Sequence, residues 1–444
     1  MIRGELRPML ALATPVVMAE LGWVTMGIVD TIMVGDLGAS AIGAVGLSSM
    51  LFVSIAVFAM GLLLGLDPLV AQNFGARRLD ECHRWLVDGI WLGIVTTLPM
   101  LGVIFGMNAT MHLWGLPAEV LALSQPYLAI LTWSLPPLLL YVAFRRYLQA
   151  MNLVRPVMFA LVAANIVNAV ANWVLINGHF GAPAMGVRGS AYATLAARIF
   201  MAAWLLIVIV RHEAHVTPRL RDTPLAIDLA RLRRLFWLGF PAAGQTVLEV
   251  GVFSAATALV GRVSAEALAA HQIALNMASL TFMIPLGVAS AAAVRVGQAI
   301  GRDDPRGAAS AGWTAIVIGV GFMGSAAIVF FTMPRALIRL FTSESMVLEL
   351  GVSLLFVAAV FQLFDGVQGV ITGALRGLGN TRTAMLWNLV GHWAVGLPLG
   401  YLLCFRWGLG VVGLWWGLSL GLVICGVALL FVWIREAAAL HTSS

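Results

Sequence analysis

Five carboxylates, Glu20, Asp30, Asp67, Glu249 and Asp365, stand inside long apolar stretches of the chain. A charged side chain at the centre of a bilayer costs about 2.5–3.5 kcal/mol on insertion scales. Five such groups would cost on the order of 10 kcal/mol if all were ionised and faced lipid. They must therefore be sheltered, protonated, or neutralised by bound cations. A group that captures and releases a proton or a sodium ion is the chemistry this pattern offers.

Glu249 shares a helical face with Gln245 and Phe253, four residues to either side. Asp365 shares one with Phe361, Gln368, Gly369 and Thr372. Two acids that shared one dry site could not both ionise readily and would favour one proton or one sodium ion. Glu249 and Asp365, each mid-span, are candidate functional acids by position. Asp30, with Trp23, Met26, Gly27 and Met33 around it, is a third candidate. Glu20 lies about 15 Å further along the same helix, from ten residues of rise, where it could attract a cationic substrate. Asp67 precedes Pro68, and pairing with Arg77 or Arg84 is the alternative to a place in the cleft. Asn165, Asn168 and Asn172 form a polar stripe, which could line a cavity but more commonly bonds between helices. His271 and His392 are read as interhelix bonders. His212-Glu213-Ala214-His215 is one residue short of a zinc-protease motif, whose histidines must be four apart, and is rejected.

The elements that must position these groups follow from composition. Of the 444 residues, 61% are hydrophobic and 10% charged, against about 25% charged in a soluble domain. Lipid is the solvent for most of this chain. Apolar runs, each able to cross about 30 Å of hydrocarbon, predict twelve spans: 9–34, 47–72, 87–107, 121–144, 157–177, 189–210, 236–261, 271–294, 309–331, 347–373, 384–404 and 410–434. The first is too long for the core of a cleaved signal peptide and is read as retained. All positive charge is arginine, and the loop arginines fall mostly on one side. The positive-inside rule then places both termini in the cytoplasm, in a bacterial inner membrane. Nucleic acid is not an expected partner. Cys82, Cys404 and Cys425 form no disulfide framework.

The polar connection Arg211–Arg234, with Pro218 and Pro224, is read as a cytoplasmic linker ending in an interfacial helix over 227–236. It separates two six-helix repeats, 1–210 and 236–444, with the linker at 211–235. At an offset of 226, Pro15 meets Pro241, Val34-Gly35 meets Val260-Gly261, and Gln72 and Gly75 meet Gln298 and Gly301. Repeats with an even number of spans start on the same side and leave a cleft that rocking opens alternately. The acids do not obey the repeat: Asp30 meets Ala256, and Glu249 meets Trp23. The two halves are expected to have different tasks.

Gly27-Ile-Val-Asp-Thr-Ile-Met-Val-Gly35, Ala270-His-Gln-Ile-Ala-Leu-Asn276, Gly373-Ala-Leu-Arg-Gly-Leu-Gly-Asn-Thr-Arg382 and Gly391-His-Trp-Ala-Val-Gly-Leu-Pro-Leu-Gly400 resemble, in order, motifs of the multidrug and toxic compound extrusion (MATE) family. Val247-Leu-Glu-Val-Gly251 and Phe361-Gln-Leu-Phe-Asp-Gly366 resemble its NorM-type branch. The resemblance implies an all-α membrane protein of twelve helices, in two pseudo-symmetric six-helix bundles around a central cleft. It implies secondary efflux of small organic cations, such as aromatic drugs and dyes, by a monomeric antiporter driven by Na+ or H+, with no cofactor and no ATP site. Glu249, Asp365 and Asp30 would serve cation coupling, with Glu249 and Asp365 as the metal ligands if the ion is sodium. Glu20, Asp67, Gln245, Phe361, Gln272, Asn276, Asn165, Asn168 and Asn172 are the candidates for the substrate cleft. The branch often has tyrosine at the position of Phe361, so any coordination by that hydroxyl is missing here. The alternatives are a flippase for a lipid-linked precursor, which would want cationic residues in the cleft; an intramembrane enzyme, for which no catalytic set has recognisable spacing; and a passive channel, which the repeat disfavours.

Overall fold

The computed structural model describes residues 2–214, 217 and 219–442, so His215 and Pro218 of the expected linker lie outside it. The described elements are all helical. Among the described residues, eleven helices are long and apolar enough to cross a membrane: Gly4–Gly35, Ala39–Gly75, Leu79–Leu113, Arg155–Asn177, Val187–Glu213, Leu229–Val260, Ala265–Gly301, Pro305–Thr332, Ser345–Leu378, Arg382–Arg406 and Gly410–Thr442. The fourth span is a pair, Ala118–Thr132 and Leu135–Ala150, bent by 44°. Pro136 and Pro137 open its second half, where the missing N–H of proline interrupts the helical ladder. Numbered in chain order as spans 1 to 12, the helices match the expected runs but extend past most of them. Hydropathy sees only the apolar middle of a helix, while the polar turns at its ends are fixed by caps.

The caps are legible. The Ser264 hydroxyl accepts from the Ala267 N–H at 3.0 Å and opens span 8. Asp304 accepts from Gly307 N–H at 2.8 Å, ahead of Pro305 in span 9. Span 10 ends at Gly379, whose φ of 86° is left-handed and favours glycine. Span 11 contains π-helical stretches on either side of Pro398, over Leu389–Gly396 and Leu402–Arg406.

The expected linker is shorter than 211–235. Span 6 continues to Glu213, and span 7 begins at Leu229. The stretch read as a separate interfacial helix is, from Leu229 onward, the first turns of span 7. Asp228 Oδ1 caps it, accepting from Ala230 N–H at 2.9 Å and Arg231 N–H at 3.1 Å. Arg231 is not left at a membrane surface. It donates to Glu81 Oε2 at 2.7 Å and Asp88 Oδ2 at 2.6 Å, and its guanidinium lies 3.9 Å from the centroid of the Trp85 ring. Two carboxylates and an indole of span 3 hold that charge better than a mobile headgroup layer would.

The chain forms two compact units, residues 18–243 and residues 1–17 with 244–444. These differ from the expected 1–210 and 236–444. Both boundaries fall inside helices, spans 1 and 7, at positions related by the same 226-residue offset. The packing repeats as well. A Cβ on Gly61 would lie 2.5 Å from Ala243 Cα, and one on Gly287 would lie 3.0 Å from Val17 Cα. Gly61 and Gly287, and Val17 and Ala243, are equivalent positions. In each unit the first half of one helix therefore packs on a glycine that lets the backbones approach. Spans 8 and 10 approach as closely: a Cβ on Gly373 would come within 2.1 Å of the Ala289 carbonyl oxygen.

Candidate functional site

In the unit of residues 18–243, Asp30 of span 1 is buried and gathers donors from two other helices. Asn168 and Asn172 of span 5 donate to its Oδ1 at 2.9 and 2.7 Å. Thr194 of span 6 donates to its Oδ2 at 3.0 Å. Asn172 also donates to Asn168 Oδ1 at 3.2 Å. Two members of the asparagine stripe thus bind a carboxylate. The third, Asn165, donates to the Gly22 carbonyl at 2.9 Å. One turn beyond Thr194, Arg198 lies within electrostatic reach of Asp30. It is buried, donates to Ser134 Oγ, and sits 4.5 Å from the centroid of Phe52 and 5.8 Å from that of Trp23.

Glu20 and Asp67 are each matched by an arginine. Arg145 donates to Glu20, and Arg146 Nη1 lies 3.6 Å from Asp67 Oδ2. The expected pairing of Asp67 with Arg77 or Arg84 is thus corrected. Arg145 and Arg146 fall just past the span expected over 121–144. They lie within the helix Leu135–Ala150, with side chains only 7% and 13% exposed. Their length lets the guanidinium reach a carboxylate while the stem packs on apolar neighbours.

The other unit is built differently. Glu249 of span 7 and Asp365 of span 10 lie within each other's electrostatic reach, and Cys425 of span 12 is within reach of both. Both acids are half-buried. Among the described residues, neither accepts a hydrogen bond and neither meets an arginine or histidine at ion-pair distance. The surrounding polar groups are instead paired with one another. Gln245 donates to Thr372 Oγ1 at 3.4 Å, and Gln368 donates to Asn388 Oδ1 at 3.3 Å. No group of three or more His, Cys, Asp or Glu side chains able to hold a metal ion occurs among the described residues. A sodium ion here would need oxygens beyond the two carboxylates.

Phe361 is buried and packs against Trp415, ring centroids 5.9 Å apart. Gln272 and Asn276, one turn apart on span 8, are exposed. His271 bonds between helices. Its Nδ1 accepts from the Trp415 indole N–H at 2.9 Å, so its Nε2 carries the proton towards Thr257 Oγ1, also at 2.9 Å. His392 is buried beside Phe253, 6.5 Å between ring centroids.

Thr194 and Arg198 stand at this candidate site and are absent from the sequence reading. Counting arginines by loop says nothing of one eleven residues inside span 6. That position itself, a guanidinium deep in an apolar run, is the signal that could have found it.

Comparison with known proteins follows this geometry. The MatE family profile matches residues 15–174 and 241–402, two stretches that begin 226 residues apart. The chain is 38% identical over 441 residues to a probable multidrug resistance protein NorM of Mesorhizobium japonicum, covering 98% of this chain and 94% of that one. It is 34% identical over 432 residues to a protein of the same description from Pseudomonas putida, covering 96% and 94%. Among solved structures it superposes on a eukaryotic MATE transporter with a TM-score of 0.86 at 22% identity, covering 100% of this chain and 99% of that one. An outward-facing MATE transporter of the MOP superfamily gives 0.86 at 20% identity, covering 97% and 96%.

Proposed function

The chain belongs to the MatE family, in its NorM-type branch, and on that premise we propose that it is a secondary multidrug antiporter exporting small organic cations in exchange for Na+ or H+. Its relatives are named for multidrug resistance, which supports efflux of drugs; aromatic drugs and dyes are the class we propose. We place both termini in the cytoplasm of a bacterium, with the spans in its inner membrane, from the arginine distribution, and propose that the protein acts as a monomer.

One observation carries the mechanism: Glu249 and Asp365 lie in each other's electrostatic field, with no arginine or histidine at ion-pair distance among the described residues. Two carboxylates in each other's field, half removed from water, gain most from a mobile positive charge. Entry of a proton or sodium ion relieves their repulsion, and its release restores it. Two conformations that differ in the exposure of this pair would therefore differ in cation affinity. Such a difference is what lets a bound ion bias a conformational equilibrium. Alternating access of the two helical bundles converts that bias into export. Gln272 and Asn276, polar and exposed, are the proposed substrate contacts.

The test is transport by purified protein in proteoliposomes, with ethidium as the probe. An imposed proton or sodium gradient should drive ethidium against its own gradient. If neither ion moves it uphill, the antiport reading is wrong.

A further inference from the structure

We infer that the turns on the side opposite the termini are seated in the bilayer interface, and that those of the unit of residues 1–17 and 244–444 bind anionic phospholipid headgroups through Arg262, Arg339 and Arg406. The inference goes beyond the transport reading and holds whichever ion is exchanged.

The turns that follow the odd-numbered spans share a pattern, a polar side chain directly before an exposed apolar one, and the pattern obeys the repeat. His112-Leu113-Trp114 at the end of span 3 meets Arg339-Leu340-Phe341 after span 9 at an offset of 227. His179-Phe180 after span 5 meets Arg406-Trp407 at the end of span 11 at the same offset. Asp36-Leu37 after span 1 meets Arg262-Val263 after span 7 at 226. Leu113, Phe180, Leu340 and Trp407 are 72%, 88%, 78% and 71% exposed. None of the short turns on the other side, 76–78, 151–154, 302–304 and 379–381, exposes a large apolar side chain.

The repetition points to what covers these residues. A bilayer meets both units alike, whereas a docked protein needs only one of them. The turns also continue faces that the spans themselves expose. Ile328 and Phe331 precede the Leu340 turn, and Tyr401 and Phe405 precede Trp407, all of them exposed. Aromatic and apolar side chains at the end of such a face suit the boundary between headgroups and acyl chains.

The polar member of the pattern differs between the units. In residues 18–243 it is Asp36 or a histidine turned back on the preceding helix. His112 Nδ1 bonds the Ala109 carbonyl at 2.7 Å, and His179 Nδ1 bonds the Trp173 carbonyl at 2.9 Å with its ring stacked 3.9 Å from the indole. In the other unit it is arginine each time. Arg262, Arg339 and Arg406 are exposed, and among the described residues none meets a carboxylate at ion-pair distance, unlike Arg335, which pairs with Glu349. An arginine stem packs along apolar surface while its head reaches the headgroup layer, where the guanidinium fork matches a phosphate. Three such charges on one unit favour a lipid that is net negative.

The experiment uses the full-length protein in lipid nanodiscs, with bimane attached through Phe341→Cys, Trp407→Cys or Phe180→Cys. Cys82, Cys404 and Cys425 are buried and do not compete for the label. Quenching is compared among phosphatidylglycerol brominated near the headgroup, phosphatidylcholine brominated likewise, and aqueous iodide. All three labels should be quenched more by lipid than by iodide. At positions 341 and 407, half-quenching should need about five-fold less phosphatidylglycerol than phosphatidylcholine. At position 180 the two lipids should act alike. Arg339→Gln should remove the preference at 341, and Arg406→Gln should remove it at 407.

Iodide quenching above lipid quenching at any of the three positions overturns the inference, because that tip then lies in water. So does equal quenching by the two lipids at 341 and 407, a preference at 180 as large as theirs, or a preference that survives the arginine substitutions. If a cysteine variant does not fold, phosphatidylglycerol retained in native mass spectrometry decides. Fewer molecules on the variant combining Arg262→Gln, Arg339→Gln and Arg406→Gln than on wild type support the inference, and equal numbers overturn it.

Discussion

Replacing Glu249 by Gln, or Asp365 by Asn, should abolish uphill transport and at the same time make the protein more stable. The two effects have one cause. In the absence of sodium and at alkaline pH, the pair carries two charges with no protein cation at hand and no hydrogen bond among the described residues. Each ionised carboxylate deep in the membrane costs up to about 3 kcal/mol. An amide of the same shape removes one charge and the repulsion on the other. For a unit of this size, a gain of about 1–3 kcal/mol raises the unfolding midpoint by roughly 3–10 °C. The assay pairs gradient-driven ethidium transport with thermal unfolding in lipid nanodiscs at high pH, without and then with sodium. Wild type should be stabilised by acidification, and each amide variant should respond less. An amide variant that still concentrates ethidium against its gradient would refute the reasoning. So would one that melts below wild type, because the carboxylates would then be structural partners.

Three further outcomes follow from the packing. Arg145→Met leaves Glu20 half-buried and unpaired, and should cost up to about 3–5 kcal/mol. Adding Glu20→Gln should recover most of that in the same melting assay. Gly373→Val places its Cβ against the Ala289 carbonyl oxygen at 2.1 Å, so spans 8 and 10 must separate. Little monodisperse protein should survive size-exclusion chromatography, whereas valine at Gly379 would strain a left-handed turn but not this interface. His271→Phe strands the Trp415 indole N–H, at about 1–3 kcal/mol for a donor left buried without a partner, while the Thr257 hydroxyl keeps its bond to the Phe253 carbonyl. Thr257→Val added to it should cost less than its effect alone.

How much of this was legible in the sequence depends on range. Hydropathy located the twelve spans, because a segment that crosses lipid must satisfy its backbone within itself and be apolar along its length. The repeat was legible from pairs such as Pro15 and Pro241, because equivalent packing demands equivalent residues. Its compact units were not, because the division at 17 and 243 runs through two continuous helices and leaves no mark in composition. The amphipathic stretch before span 7 was misread for a related reason. Its charge periodicity suits a membrane surface and a protein groove equally, and only Glu81, Asp88 and Trp85, some 150 residues away, decide for the groove.

The acids divide along the same line. Sequence alone determined that Glu20, Asp30, Asp67, Glu249 and Asp365 sit where charge is expensive, since that follows from the residues on either side. It could not determine which of them already have partners. Arg145 reaches Glu20 from another helix, Asn168, Asn172 and Thr194 reach Asp30 from two, and Arg198 stands near it from 168 positions along the chain. Charge burial is a local property of an apolar run. Charge compensation belongs to the neighbours that folding brings alongside, and among the described residues it separates Glu20 and Asp67, each matched by an arginine, from Glu249 and Asp365, which meet none.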